Sequence, residues 1–427
     1  MQPFTDHYDV LVAGGGPSGV AAAVAAARQG ARTALVERYG ILGGMLTSGH
    51  VNPVLGAASA GTMADEIMDL LCRRQATTRN GLERSVDTEE AKSGLLRFTA
   101  ESGVDIYLQT PVIDVLKDGD RVTGLLVGTQ EGPKTLHASV VVDATGDGFV
   151  SVRAGAGCHT GRDSDGLCQP ASLEFTISNV DEARAITCWG GTDPVTLPDG
   201  TRYSEFCKAK EKEGVLPRNV SIVRLHRTAL PGERSVNATQ ANGYDTLTSE
   251  GILSAELELR AQIDRIVSFL RTYVPGYEHC AVKSTGSTLG VRETRRIIGD
   301  QAVTDQDVET GGRYPNAVVH RAWFLIDIHN PSGGGQAEGH SQPAVPYDIP
   351  YGALLPAGIE GLLTCGRCIS GTHRAHASYR VMFICFATGQ AAGIAAALSA
   401  RKGVPPRGLD AAEIRHCLAE AGVSLFD

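Results

Sequence analysis

Near its start the chain carries Asp9-Val-Leu-Val-Ala-Gly-Gly-Gly-Pro-Ser-Gly19, and an alanine-rich run then leads to Ala34-Leu-Val-Glu37. An apolar β run, three spaced glycines, a stretch of good helix formers and a second apolar run ending in an acid predict strand, tight turn, helix, strand. This stretch limits the fold more than any other, because the pattern is that of a unit that holds a dinucleotide. Gly14 permits the turn, Gly16 lets backbone come close to a pyrophosphate, and Gly19 lets the helix pack on the strand. The helix N-terminus then faces the phosphates. Glu37 follows Gly19 by 37 − 19 = 18 residues, close to the roughly 20 expected of the acid that binds a ribose.

A chain of 427 residues suggests two or three domains. Its net charge of −9 lacks the basic footprint of a nucleic-acid binder, although a positively lined pocket for an anionic substrate is compatible with it. The ten cysteines are scattered, which fits reduced thiols in a cytoplasm better than a disulfide framework. Residues 10–27 are apolar but are broken by Gly14-Gly-Gly-Pro17 and have no basic segment ahead of them. Residues 383–398 are shorter than a membrane span and include Thr388 and Gln390. We therefore expect neither a signal peptide nor a span, and a buried helix near the C-terminus.

Beyond Glu37, the glycine pair in Leu42-Gly-Gly-Met45 suggests backbone packed on something flat or bulky, as a flavin is and a nicotinamide domain does not require. Residues 62–75 and 89–101 have helical apolar spacing, with a polar loop at 76–87 between them. Short β runs at 112–116, 122–127 and 136–142 form an antiparallel meander that runs into Val140-Val-Val-Asp-Ala-Thr-Gly146. Residues 169–180, 222–226 and 323–329 alternate like strands, and 248–273 is the longest helical pattern. These last pieces carry no nucleotide signature and are expected to form a separate α+β substrate domain. Glycines at 333–335 mark the return connection. Residues 359–367 read as a strand ending in Gly366-Arg367, and 377–400 as a helix with small residues at Gly389-Gln-Ala-Ala-Gly393.

Taken together, Gly14-x-Gly16-x-x-Gly19, Glu37-Arg38, Leu42-Gly-Gly-Met45, Ala144-Thr-Gly-Asp147, Val291-Arg-Glu-Thr-Arg-Arg-Ile297, Tyr347-Asp-Ile-Pro-Tyr351, Gly366-Arg-Cys-Ile-Ser370 and Gly389-Gln-Ala-Ala-Gly393 resemble the FAD-dependent oxidoreductase family with the glutathione-reductase type FAD-binding fold. The resemblance implies an α/β chain: a Rossmann-like FAD-binding domain with an antiparallel β-meander crossover, in two parts at 1–160 and 338–427, with the α+β substrate domain inserted at 161–337. It implies FAD as cofactor. Gly14, Gly16, Ser18 and Gly19 would cradle the pyrophosphate, with Glu37 and Arg38 at the adenosine end and Val112 beside the adenine. Gly43, Gly44 and Met45 would lie along the flavin. Ala144 and Gly146 would line the site, Gly366 and Arg367 would lie near the ribityl chain and pyrophosphate, and Gln390 would approach from the closing helix. Many relatives carry Gly-Asp where this chain has Gly366-Arg367, so the usual carboxylate contact to ribitol is in question.

The densest polar cluster, His373-Arg-Ala-His-Ala-Ser-Tyr-Arg380, falls between the Gly-Arg strand and the closing helix. His373, His376, Tyr379 and Arg380 are candidates for acid, base or anion clamp, with an unperturbed histidine pKa of roughly 6.5 suiting proton transfer. Arg292 and Arg296 would share one face if residues 292–296 form a strand; Arg292, and His329 before the return glycines, complete the catalytic candidates. Cys365-Gly-Arg-Cys368 has redox-pair spacing but straddles a strand end, which argues against a disulfide reductase. His50 is a candidate flavin tether or a plain loop residue. No metal-ligand spacing and no Gly-x-Ser-x-Gly elbow occur. The expected activity is hydride transfer between FAD and a small polar, including anionic, organic substrate. A flavin-binding electron-transfer partner of another protein and a flavin monooxygenase are the alternatives. The electron donor or acceptor and any homo-oligomer are left open.

Overall fold

A computed structural model describes residues 4–72, 78–79 and 83–425. The polar loop expected at 76–87 and the end of the helix expected at 62–75 lie partly outside them; that helix is described as Met63–Cys72. Strand His7–Ala13 is central in a seven-stranded sheet, parallel to Thr33–Val36 on one side and to the second half of Gly132–Asp143 on the other. Asp105–Tyr107 extends the parallel layer beyond Thr33–Val36, and Leu362–Thr364 extends it beyond Gly132–Asp143. The first half of Gly132–Asp143 pairs instead with Arg121–Thr129, which pairs with Val112–Asp118. One long strand thus serves both the meander and the nucleotide sheet, which is how the meander crosses over.

Helix Pro17–Arg28 follows the glycine turn, and its residues from Ser18 to Ala26 are buried. Alanine makes it slim enough to be covered on all sides. The cover is Met382–Lys402, whose residues from Met382 to Ser399 are also buried. A Cβ on Gly389 would stand 2.1 Å from the Ser18 carbonyl oxygen, and one on Gly393 2.1 Å from that of Ala22. The small residues therefore serve a backbone-to-backbone helix contact, not contact with a sheet. At 21 residues the helix extends beyond the apolar stretch at 383–398, and among the described residues it alone is long and apolar enough to cross a membrane; its apolar stretch is wholly buried in the fold. The single helix expected at 377–400 is two. His373–Tyr379 is capped by the Thr372 hydroxyl, and extended backbone at Val381 redirects the chain into Met382–Lys402.

A second, four-stranded antiparallel sheet has the order Arg224–Arg227, Arg234–Asn237, Phe175–Ser178, Ala281–Thr285. Phe175, Ile177, Leu225 and Val236 point from one face onto Leu259, Ile263, Ile266 and Phe269 of helix Ser249–Tyr273, and this core draws its residues from Leu173 to Leu289. Val303, Val318, Ile328 and Tyr347 belong instead to the core around the closing helix. The core of the second unit thus lies between Leu173 and Leu289, within the expected insertion of 161–337. Residues 323–329 form no regular strand: Trp323, Ile326 and His329 make isolated bridges to Ala57, Gln342 and Gln336, while the strand is Ala317–Ala322, paired with Tyr347–Pro350. Likewise Arg295–Ile297 is the only strand in the 292–296 run, which leaves Arg292 in a connection.

Because the Cβ of any substituent at Gly393 meets backbone rather than a flexible side chain, overpacking cannot relax locally. Gly393→Val should lower unfolding stability by about 3 kcal/mol or more, and Gly408→Ala, whose Cβ would meet nothing nearer than 3.7 Å, should not. Urea unfolding of both variants checks this.

Candidate active site

A cleft of about 410 Å³ runs along the carboxyl ends of the parallel strands. Gly14, Gly16, Ser18, Glu37, Arg38, Gly44, Met45, Val112, Ala144, Gly146 and Arg367 all line it. Gly14 has φ +100° and lies against the Ala144 carbonyl, and a Cβ on Gly19 would collide with the Gly14 carbonyl oxygen. Gly16 differs: a Cβ there would meet only the Gly44 Cα, at 4.0 Å, so its backbone stands open to the cleft. The helix that follows has no side-chain cap. Free N–H groups at a helix start beside open glycine backbone suit a pyrophosphate. The Glu37 carboxylate accepts from Gly15 N at 2.5 Å and Tyr39 N at 2.8 Å; burial raises its pKa, against the pull of those two N–H groups. Gly43, at φ +107°, shapes the turn without lining the cleft, and its N–H donates to the Gly15 carbonyl at 2.8 Å. Gln390 does not reach the cleft. Its amide oxygen accepts from Met63 N at 2.8 Å and so holds the start of another helix.

Arg367 crosses the cleft, donating to the Gly146 carbonyl at 2.8 Å and pairing closely with the Asp147 carboxylate and the Val291 carbonyl. A carboxylate thus stands beside residue 367, contributed by Asp147 and held also by the Thr294 hydroxyl at 2.8 Å. Behind it the fully buried Asp143 accepts from the N–H and hydroxyl of both Thr145 and Ser151, which fixes the turn at 144–148. Neither acid was singled out from sequence, although both lie in the Val-Asp-Ala-Thr-Gly-Asp run.

The other face of the second sheet carries Glu174, Arg224 and His226, since side chains alternate and Leu173, Phe175 and Leu225 take the core face. The connection that leaves strand Ala281–Thr285 meets the loop after Gly44. Gly286 N donates to the Glu174 carbonyl at 3.0 Å, Ser287 N to the Ser48 carbonyl at 2.7 Å, and Tyr39 and Thr288 share a hydroxyl bond of 2.7 Å. Arg380, which lines the cleft, donates to Asp327 Oδ2 at 3.1 Å, and His329 Nε2 lies 3.3 Å from the same oxygen. Arg292 donates to the Pro170 carbonyl at 2.8 Å, and the Gln169 side chain accepts from His329 N. Glu174 Oε2, Gln169 Nε2 and Arg380 Nε find no hydrogen-bond partner among the described residues. These groups form a charged cluster, the chamber, that meets the cleft at Arg380 and has unmet hydrogen-bonding capacity.

Electrostatics divide its members. Burial pushes Glu174 up to about 8 against the pull of Arg292 and Arg224. Asp327 goes the other way: burial would raise it, but His329, Arg380 and Arg224 hold it well below the usual carboxylate range. Burial and the nearby Arg292 bring His329 down to about 3, with Asp327 opposing, and burial with Arg380 brings Arg292 down to about 10.

The short helix places its four candidates differently. His373 Nδ1 lies 2.8 Å from the buried Glu293 carboxylate, which also pairs closely with Arg296. His376 is buried with neither ring nitrogen bonded. Burial, then Arg296, Arg380, Arg367 and His373, hold its pKa well below 6.5, so the ordinary value assumed from sequence does not apply. Tyr379 is buried, its hydroxyl donating to the Ile369 carbonyl at 3.1 Å. His50 is a buried non-glycine residue at φ 56°, with Nδ1 unbonded. Cys365 and Cys368 are free buried thiols that burial pushes up, far from the thiolate a redox pair needs.

The parallel sheet with its meander, the open glycine turn and the acid after the second strand define a dinucleotide-binding flavoprotein fold. A family model described as FAD dependent oxidoreductase matches residues 9–418, and the chain belongs to that family. It is 36% identical over 150 residues to a thiamine thiazole synthase of Desulfosudis oleivorans, covering 33% of this chain and 56% of that one. It is 27% identical to a digeranylgeranylglycerophospholipid reductase of Picrophilus torridus over 34% of this chain and 40% of the relative. The likeness thus spans about half the length of these curated relatives. Among solved structures, p-nitrophenol 4-monooxygenase from Pseudomonas putida superposes with a TM-score of 0.52 at 12% identity, over 97% of this chain and 87% of that one. A geranylgeranyl bacteriochlorophyll reductase-like protein from Thermoplasma acidophilum does so at 0.51 and 14%, over 97% and 83%. These two establish the fold.

FAD should therefore be released by acid from the purified protein. Glu37→Ala removes the acceptor that orders the Gly15 and Tyr39 N–H groups and should weaken FAD binding by about thirtyfold, the equivalent of roughly 2 kcal/mol for charge-assisted hydrogen bonds. Fluorescence titration of the apoprotein with FAD measures it.

Proposed function

We propose that the protein moves hydride between flavin and a small polar substrate held in the chamber between the Gly44–His50 turn and the polar face of the second sheet. FAD, when bound, supplies the hydride-exchanging ring system. The observation that carries the reading is Arg380, which belongs to both spaces: it lines the cofactor cleft and is anchored by Asp327 in the chamber. Ser48, in the loop that follows the flavin-facing Met45, is bonded to the connection carrying Gly286 and Ser287, so the same backbone borders both ligands.

Within this reading Arg292 and Arg380 attract and orient a negatively polarised group, since a guanidinium keeps its charge and bonds in a flat fork. Asp327 fixes His329 and Arg380 relative to one another. Glu293 fixes His373, so that its other ring nitrogen has a set direction. His376, held neutral, is a hydrogen-bonding neighbour and a weak base.

Anaerobic mixing of the FAD-loaded protein with small acids, alcohols and amines should bleach the flavin absorbance with at least one class. Bleaching only by a protein partner would favour the electron-transfer alternative. Oxygen consumption with NAD(P)H and a hydroxylated product would favour the monooxygenase. Asp327→Asn, which loosens Arg380 and His329 together, should slow bleaching roughly 10²-fold, the scale of a misplaced orienting group, while FAD stays bound.

A further inference from the structure

The polar face of the second sheet holds an acid where one is unexpected. Glu174 sits between Leu173 and Phe175, both in the core, and its carboxyl is buried on the opposite face with Oε2 unbonded. The ionisable groups acting on it are Arg292 from the 290–294 connection and Arg224 from the edge strand beyond Arg234–Asn237, with His226 on the same face of that edge strand and Asp327, His329 and Arg380 around Arg292. His50, in the loop packed on Gly286, is kept below its ordinary range by burial and Lys92. Three arginines face two acids, and one acid, Asp327, is already bonded to Arg380 and adjacent to His329. Arg380 Nε and Gln169 Nε2, both on residues bonded within the cluster, remain as unmet donors, and Glu174 Oε2 as an unmet oxygen. The arrangement lacks an anion with acceptor oxygens and, next to it, a group able to share a proton with Glu174.

We propose that the chamber binds a small organic carboxylate bearing a hydroxyl or oxo group on the adjacent carbon, with Arg292 and Arg380 on the carboxylate and Glu174 exchanging the proton of the neighbouring oxygen. The proposal rests on the hydride-transfer reading above. In the oxidising direction the C–H bond of the hydroxyl-bearing carbon breaks, and its electron pair leaves with hydrogen as hydride to the flavin. The O–H bond breaks, its proton passes to the Glu174 carboxylate, and the C–O bond becomes a carbonyl. The reducing direction reverses each transfer, Glu174 giving up the proton. At neutral pH Glu174 rests in the acid form, the form that gives up its proton in the reducing direction, so its uncharged carboxyl sits beside the bound anion without repelling it; the oxidising direction draws on the ionised fraction. Ionisation of Glu174 through about 8 places a second negative charge there, and anion binding weakens as pH rises.

The test measures binding apart from turnover. FAD-loaded protein is titrated with oxalate and acetate, and with ethanol and ethylene glycol, following the visible difference spectrum of the flavin between pH 6 and pH 9, a range below the titration of Arg292 near 10. The carboxylates should perturb the spectrum and the alcohols should not. Arg292→Lys and Arg380→Lys should weaken carboxylate binding about tenfold or more, because the two-pronged contact is lost. Binding by the wild type should fall about tenfold or more across pH 8, whereas Glu174→Gln, which mimics the acid form, should bind equally well at both ends of the range. Equal affinity for alcohols and carboxylates, or arginine variants that bind oxalate as the wild type does, would overturn the substrate class. A Glu174→Gln variant that keeps the wild-type fall near pH 8 would overturn the role of Glu174. Bleaching by alcohols or amines without carboxylate binding sinks this inference and leaves the hydride-transfer reading standing; carboxylate binding with no bleaching by any small molecule does the reverse.

Discussion

Gly389 and Gly393 let the closing helix lie backbone against backbone on the helix after the glycine turn, with the Ser18 and Ala22 carbonyl oxygens in the space where side chains would stand. Everything at the cofactor cleft inherits its spacing from that contact. It brings Thr388 to the Gly366 N–H, sets Gly366 against Ser18, and fixes the start of the closing helix, where Met382 and Cys385 line the cleft. The bend at Val381 then turns the short helix His373–Tyr379 away from the closing helix's axis, so Arg380 falls at the junction between cleft and chamber.

Across that junction the chain uses charge in two ways. On the cofactor side the acids are tightly bonded: Asp143 by four donors and Asp147 by Arg367 and Thr294. Such groups are structural in the sense that their capacity is met. On the proposed substrate side hydrogen-bonding capacity is partly unmet, and buried polar atoms without partners are costly unless a ligand completes them. That contrast separates the scaffold of the site from its working face.

The nucleotide unit could be read from sequence because its signals are local: strand, turn and helix follow one another from Asp9 to Glu37, and each glycine has its reason within a few residues. The meander and the long helix of the second unit were legible for the same reason of period. The reading was weaker wherever distant residues decide. Gln390 lies in the right helix but faces Met63, because the helix is buried all round and composition alone cannot say which side meets the cofactor. Residues 323–329 alternate like a strand, yet their partners are scattered bridges. Glu174 was overlooked although a charged residue inside Ser-Leu-Glu-Phe-Thr-Ile is a visible signal. Its meaning depends on a covering loop that comes from the first 50 residues. Asp327, which organises two of the named candidates, carried no signal beyond standing two residues before His329.

The contact between the first and the last long helix also bears on how the protein is made. Helix Pro17–Arg28 leaves the ribosome well before its cover, rich in alanine and valine and destined to be covered on all sides. Its cover ends at Lys402. At synthesis speeds of about 5–20 residues per second the wait is on the order of 20–75 s, during which the second sheet and its helix can complete their own core and the nucleotide half cannot. The nascent chain therefore carries an exposed apolar helix throughout that interval, a natural point of attachment for chaperones.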